Sequence, residues 1–329
     1  MMLVRRAEDA EPASPEILTH LPEGPAAGVA YSLRHHELFM ATNTAVYAIP
    51  YVAGGPAPTG PPATIVRVRT GPVAPNSDGD VHTSTSVAFD DLKDRLYIGV
   101  GSSCNACVEA DLTRASIFVA HADGTSLHKI AKRIRNAIAL TIDPQTGALW
   151  AGVAGQDALP SGHPFEFADD VSSHAAVADY GWPDCEENHR AYTSGARCDG
   201  TVVPSIEFPA YSTLIGAVIY PAAIKARFAF PARYRGGLFV AAHGSWHRSD
   251  SGFAAAPMVA FVRLRGDVPV TPVDWNDPRR QWQEFVGGFQ DGFQRYGRPT
   301  GIAVGSQGSL FVADDADGVI YRIRPKGMQ

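Results

Sequence analysis

One short apolar phrase returns along the chain. It reads LFMATN from Leu38, LYIGVG from Leu96, LWAGVAG from Leu149, LFVAAHG from Leu238 and LFVADD from Leu310. Polar, turn-forming residues precede most copies, as in DPQTGALWAGV and GSQGSLFVADD, and a second short run follows several: AVYAIPY, SIFVAHADG, MVAFVRL and VIYRIRP. Runs of aromatic and β-branched residues bounded by Gly, Asp and Pro predict antiparallel strands. Their recurrence predicts repeated four-stranded sheets, the blades of a β-propeller, with the five leucines starting equivalent strands. A generic pair of β-sandwiches is the other architecture that such strands permit. The copies lie 58, 53, 89 and 72 residues apart, more than the ~40–45 of a compact blade. The surplus falls in long insertions at about 156–215 and 249–297, where function usually sits on a rigid scaffold. Residues 1–20 read as a poorly ordered extension and 21–329 as one propeller domain.

Composition narrows the classes. Of 329 residues, 45% are hydrophobic and 19% charged, enough for a large core, and the net charge is −6. The charge gives no basic patch for nucleic acid. No apolar stretch reaches the ~18 residues of a membrane span. The N-terminus MMLVRRAEDAEPASPEIL has no apolar core and does not read as a signal peptide. Cys104 and Cys107 form a C-x-x-C, while Cys185 and Cys198 flank a polar loop. By spacing alone the first pair admits a zinc knuckle, a redox pair or a local disulfide.

Five further segments occur in one order: HTSTSVAFDDLKDRLYIGVGSSCNACVEADLTRASI, RIRNAIALTIDPQTGALW, DYGWPDC, YRGGLFVAAHGSW and YGRPTGIAVGSQGSLFVADDADGVIYRI. The series resembles the L-sorbosone dehydrogenase branch of the soluble glucose/sorbosone dehydrogenases, six-bladed enzymes that use pyrroloquinoline quinone (PQQ). The resemblance runs from His82 to Ile323. LPEGPAAGVAYSLRHHELFMATNTAVYAI looks like the family's second blade, so one N-terminal blade is expected to be missing. The resemblance implies oxidation of an aldose or sorbosone-type sugar, with PQQ and calcium as cofactors and an external electron acceptor. It also implies a periplasmic or secreted location; if the start is correct, the absence of a signal makes the chain cytoplasmic.

Residue by residue, the resemblance places His82 as general base, a role that suits an imidazole titrating near neutral pH. Asp80, two residues earlier and on the same face of an extended chain, would orient it or meet the substrate. Arg135 and Asn136 would bind the quinone, Arg135 also polarising its carbonyl. His243, Trp246 and Arg248 in HGSWHR and Arg298 in YGRP would add cofactor contacts, since three carboxylates call for several guanidinium forks. Trp182 would wall the substrate site or pack the insertion. Calcium would take oxygens from Gly155, Gln156 and Asp157. The cysteines would pair as Cys104–Cys107 and Cys185–Cys198. Three departures stand out: the loop at Gln156-Asp157 is altered, Thr85 replaces an arginine, and Tyr211 replaces a histidine. The altered loop and the missing blade favour, as an alternative, a propeller that has lost its cofactor; a calcium-dependent sugar lactonase is the third reading, and the carboxylate–asparagine cluster it calls for is not legible.

Overall fold

The computed structural model describes residues 1–9, 14–74, 80–158, 165–185, 188–249 and 252–326. The chain is all-β and falls into two compact units, Met1–Ile130 and Ala131–Gln329.

The first unit carries two blades and a short hairpin. In the first blade the strands Ala26–Ser32, Glu37–Thr42, Ala45–Pro50 and Ala63–Arg67 follow one another antiparallel. The second blade runs Thr85–Asp90, Arg95–Val100, Ser116–Ala120 and then His128–Lys132. Phe39, Ala41 and Val46 of the first blade pack on Val87, Leu96, Ile98 and Val100 of the second. The opposite face of the first blade, Leu38, Met40, Tyr47 and Ile49, is covered by Leu18, with Leu3 and Leu21 against it. Residues 1–20, read as an extension, thus include a hairpin in which Met2–Val4 pairs with Pro15–Ile17.

The second unit carries three blades. The third comprises Ala137–Ile142, Leu149–Val153, Phe165–Asp170 and Ile206–Pro209. The fourth comprises Leu214–Ile219, Leu238–Ala242, Met258–Val262 and Trp282–Val286. The fifth has three strands, Pro299–Val304, Leu310–Asp314 and Val319–Ile323. All five predicted leucines lie at the start of the second strand of their blade. The stretches read as insertions hold blade strands of their own: Phe165–Asp170 and Ile206–Pro209 in one, Met258–Val262 and Trp282–Val286 in the other.

Strand LFVAA shows why the phrase is apolar at every position. Leu238, Val240 and Ala242 face Trp150, Ile206 and Phe208 of the third blade. Phe239 faces Leu310 and Val312 of the fifth. Successive side chains of a strand point to opposite faces, so a strand sandwiched between two blades must be apolar on both.

The first strands of blades one, three, four and five each begin with a register shift, at Ala26/Gly28, Ala137/Ala139, Leu214/Gly216 and Pro299/Ile302. Such bulges bend a strand and re-aim what precedes it. Glycine also lets first strands of neighbouring blades approach. A Cβ on Gly216 would stand 2.0 Å from the Thr300 carbonyl oxygen, and one on Gly28 would stand 2.8 Å from the Thr85 carbonyl. Gly216→Ala is therefore expected to lower stability by ~1–3 kcal/mol through overpacking against backbone. Gly200→Ala, whose Cβ would meet nothing within 4 Å, should change it by less than ~0.5 kcal/mol. Denaturant midpoints of the two variants check this.

Candidate active site

In the second unit the polar chemistry gathers where the first strands begin and the second strands end. Arg135 and Asn136 precede the first strand of the third blade, and both are buried. Arg135 donates from Nη1 to the Ala154 carbonyl at 3.1 Å and from Nη2 to Asp157 Oδ2 at 3.2 Å. Burial lowers its pKa, against the pull of Asp157 and Glu166. The Asn136 carbonyl accepts from the Ala154 N–H at 3.1 Å, which ties this corner to the loop after the second strand.

Asp157 Oδ1 meets His247 Nε2 at 3.0 Å. The His247 ring lies 4.1 Å, centroid to centroid, from both Tyr211 and Trp246. Trp246 is 63% exposed and presents an aromatic surface to solvent. Beneath them is Glu166, from the third strand of the third blade, fully buried and accepting from the backbone N–H groups of Thr213 and Gly155. Burial raises its pKa to about 8, and Asp157 adds repulsion that Arg135 offsets.

The loop 243–247 links this cluster to a second one. Arg298 donates from Nε to the His243 carbonyl at 3.2 Å and from Nη2 to the Gly244 carbonyl at 3.1 Å. Arg295 donates to the Ser245 carbonyl at 2.5 Å, and Ser245 Oγ accepts from the His247 N–H at 2.8 Å. His243 Nε2 meets the Asp315 carboxylate at 3.0 and 3.1 Å. Desolvation lowers the pKa of both arginines, and the neighbouring charge of Arg295 lowers Arg298 further. His243 is lowered too, first by burial, with Asp315 opposing.

A narrow cleft of only about 20 Å³ runs beside Arg135, Gly155, Gln156, Tyr180, Trp182 and Cys185. Trp182 is only 7% exposed and forms part of the cleft wall. Behind it, Cys185 and Cys198 are joined, Cα–Cα 5.7 Å. Arg133 lines the cleft and pairs with Asp179 at 2.7 Å and Asp184 at 3.3 Å. The side chain of Arg248, in strand Arg248–Ser249, lies outside the described residues, as does 159–164 of the predicted calcium loop.

In the first unit, His82 Nδ1 lies 2.8 Å from Ser102 Oγ and 3.2 Å from the Ser102 carbonyl oxygen. Asp80, expected to orient the imidazole, gives both oxygens to Arg114, each at 2.7 Å. That fork holds the Asp80 carboxyl below its usual range. The guanidinium missing at Thr85 arrives from elsewhere. Arg69 donates to the Thr85 hydroxyl, to the His82 carbonyl at 2.9 Å and to the Ser84 carbonyl at 2.5 Å. Burial, then the Arg114 charge, push its pKa down to about 10. Cys104 and Cys107 are joined, Cα–Cα 6.1 Å, and no described cysteine is free. The zinc reading is thereby overturned, since zinc requires thiolates.

Calcium takes six to eight oxygens. Asp157 already pairs with Arg135 and meets His247, and Gln156 Oε1 is buried without a partner. One neutral oxygen and an engaged carboxylate do not make a calcium site from these side chains. Among the described residues, the metal-competent group is Cys104, Cys107 and Glu109, whose sulfurs are bonded to each other. A polyanionic quinone fits better: the Arg295 and Arg298 guanidinium groups converge on the carbonyls of the 243–245 loop, and the charge of Arg295 lowers the Arg298 pKa, an effect that carboxylates would offset.

Sequence reasoning missed His247, Glu166, Arg295 and Asp315. The second histidine of HGSWHR was the available signal for His247. Glu166 carried none, since the acidic strand FEFADD reads as a solvated face.

No family model matches the chain. A relative from Borreliella burgdorferi, described as an uncharacterized protein, is 23% identical over 256 residues, 76% of this chain; the match spans 62% of that relative's length. Among solved structures, a calcium structure of a Trichoderma reesei carbohydrate-active enzyme of family AA12 superposes with a TM-score of 0.71 at 18% identity, covering 94% of this chain and 82% of that one. The holo pyranose dehydrogenase PQQ domain from Coprinopsis cinerea gives 0.70 at 17%, covering 95% and 84%. A glucose dehydrogenase gives 0.63 at 16%, covering 99% and 90%. These likenesses show the fold: the chain is a β-propeller of the type found in PQQ-domain glucose dehydrogenases, with five blades.

Glu166 gives the fold a pH dependence of known sign. Its folded pKa of about 8 exceeds the ordinary 4.5, so between these values the folded state holds a proton that the unfolded chain has released. This group's contribution to stability therefore falls as pH rises from about 4.5 to about 8, by up to ~1.4 kcal/mol per unit. Glu166→Gln, an uncharged near-isostere, should flatten the slope and stabilise the protein above pH ~7 relative to wild type. Urea midpoints across pH check it.

Proposed function

We propose that the protein is a PQQ-dependent oxidoreductase acting on an aldose or sorbosone-type sugar and passing electrons to an external acceptor. The observation that carries this reading is the convergence of the Arg295 and Arg298 guanidinium groups on the carbonyls of the 243–245 loop, set in the fold shared with PQQ-domain dehydrogenases. PQQ would supply the two-electron acceptor. Arg298 and Arg295 would hold its carboxylates. His243, kept neutral by burial against the pull of Asp315, would add a hydrogen bond without further charge. Asn136 and Arg135 would frame the cleft side, and the open face of Trp246 would stack on a sugar ring. His82 takes the hydroxyl proton, as the sequence resemblance implies. His247, backed by Asp157, is the rival base. Residues 21–329 are taken as one propeller domain, and the two disulfides support a periplasmic or secreted location.

A second reading, a propeller that binds but does not catalyse, is favoured by the neutralised Asp157 in the predicted calcium loop. The lactonase alternative lacks a metal cluster among the described residues.

Adding PQQ to the purified protein, with and without calcium, should change its absorbance. Arg295→Ala/Arg298→Ala should weaken that binding at least about tenfold, as expected for two lost charge-assisted contacts. With an aldose and a dye, His82→Ala should lose ~10²–10⁴ of the rate and His247→Ala far less. The reverse order would assign the base to His247. No PQQ spectral change under any condition would sink the dehydrogenase reading and leave the non-catalytic one.

A further inference from the structure

Three ligand-type side chains gather on the loop that follows the second strand of the second blade. The sulfurs of Cys104 and Cys107 and a carboxylate oxygen of Glu109 all lie within 4.8 Å of one another. The loop's own hydrogen bonds hold the carboxylate there. Ser103 gives its N–H to Glu109 Oε1 at 2.7 Å and its hydroxyl to Oε2 at 2.8 Å. That hydroxyl oxygen stands 3.8 Å from Cys107 Sγ. A carboxylate has about four lone-pair sites, so these two bonds do not exhaust it. Arg114, forked onto Asp80, and Arg69 both lie within electrostatic reach of Glu109, and cationic neighbours favour thiolate over thiol. The outer end of the loop meets solvent, where Val108 is 80% exposed, so a reductant and an ion can reach it.

We propose that the Cys104–Cys107 bond is a redox gate over a metal site: once it is reduced, Cys104, Cys107 and Glu109 bind one thiophilic divalent cation of the zinc or cobalt type. The closed bond excludes the ion, because neither sulfur is then a thiolate. A dithiol reductant supplies the two electrons. Its thiolate attacks one sulfur, the S–S bond breaks, and a second exchange leaves two protein thiols and a disulfide in the reductant. The cation then displaces both thiol protons to solvent and takes two thiolates and one carboxylate. This ligand set selects a soft tetrahedral ion over calcium or magnesium, which take oxygens alone. Three protein ligands leave the fourth position to water, as in open zinc sites. Two thiolates and a carboxylate outweigh the ion by one negative charge, which Arg69 and Arg114 offset. Among the described residues, no such group forms at Cys185–Cys198. The gate is independent of the proposed dehydrogenase reading and uses no step of it.

The probe is cobalt(II), whose bonds to thiolate absorb in the near ultraviolet. The full chain, without cofactor, is reduced, freed of reductant under argon and titrated. One cobalt per chain should bind with a thiolate-to-cobalt band, and the oxidised protein should show none. Cys104→Ser/Cys107→Ser should lose the band. Glu109→Gln and Ser103→Ala, which frees the carboxylate to swing away, should keep the band and weaken binding ~10–100-fold. A second readout needs no variant to fold: zinc added to reduced wild type should shield Cys104 and Cys107, but not Cys185 and Cys198, from alkylation, read by peptide mass spectrometry. A reduced wild type without the band overturns the proposal. So does an equal band in Cys104→Ser/Cys107→Ser, which would put the ion on the other pair, and so does a band in the oxidised protein. Unchanged affinity in Glu109→Gln overturns the three-ligand site.

Discussion

Burial of the second strand between two neighbouring blades is the constraint from which the rest follows. A strand exposed on one face could alternate apolar and polar residues. The Leu238–Ala242 strand cannot, because Leu238 and Val240 meet the third blade while Phe239 meets the fifth. Apolar burial at ~25 cal/mol/Å² therefore acts on both faces of the same five residues. Polar groups are driven to strand ends and loops, where backbone carbonyls and amides are still available as partners. That is why Arg298 is held by the carbonyls of His243 and Gly244, and why Glu166 is held by amides of Gly155 and Thr213.

The bulges decide how the ends are aimed. Each of the shifts at Ala137/Ala139, Leu214/Gly216 and Pro299/Ile302 lies within two residues of a site element: Asn136, Thr213 and Arg298. A regular ladder would alternate these side chains strictly between the two packed faces. An extra residue breaks that alternation and turns the preceding side chain toward the loops. Scaffold and site are therefore one construction: close approach of first strands, permitted by Gly216, also sets how near Thr213 and Arg298 come to the 243–247 loop.

Much of the fold was legible because the stacking constraint writes itself into composition. LFVAA and LYIGV are apolar throughout, and Gly, Asp and Pro mark their ends. The third-blade strand Phe165–Asp170 was not legible: Glu166, Asp169 and Asp170 are all buried, yet acidic residues in sequence read as solvated, and they hid the strand inside what read as an insertion. For the site, resemblance pointed to loops but not to the partners within them. It named Asp157 as a metal ligand, and the structure sets the Arg135 guanidinium and the His247 imidazole against that carboxylate. It chose His243 and Trp246 from HGSWHR and passed over His247. It noted the arginine absent at Thr85 but could not see Arg69, 16 residues earlier, supplying the guanidinium. Such substitutions preserve a charge in space while moving it in sequence, and spacing cannot reveal them.

The two clusters of the second unit differ in how their charge is balanced, and this difference assigns them different work. Around Asp157, one guanidinium and one imidazole meet one carboxylate, and the second carboxyl, Glu166, is buried deeply enough to hold its proton near neutral pH. Around Ser245 the guanidinium groups of Arg295 and Arg298 meet backbone carbonyls, and the nearby carboxylate of Asp315 is hydrogen-bonded to His243. At Arg298 both signs act: the charge of Arg295 lowers its pKa and that of Asp315 raises it. Carbonyl dipoles orient a guanidinium through charge-assisted hydrogen bonds. The first corner therefore ties the third blade to the 243–247 loop through His247, and the second ties the same loop to the fifth blade through Arg298.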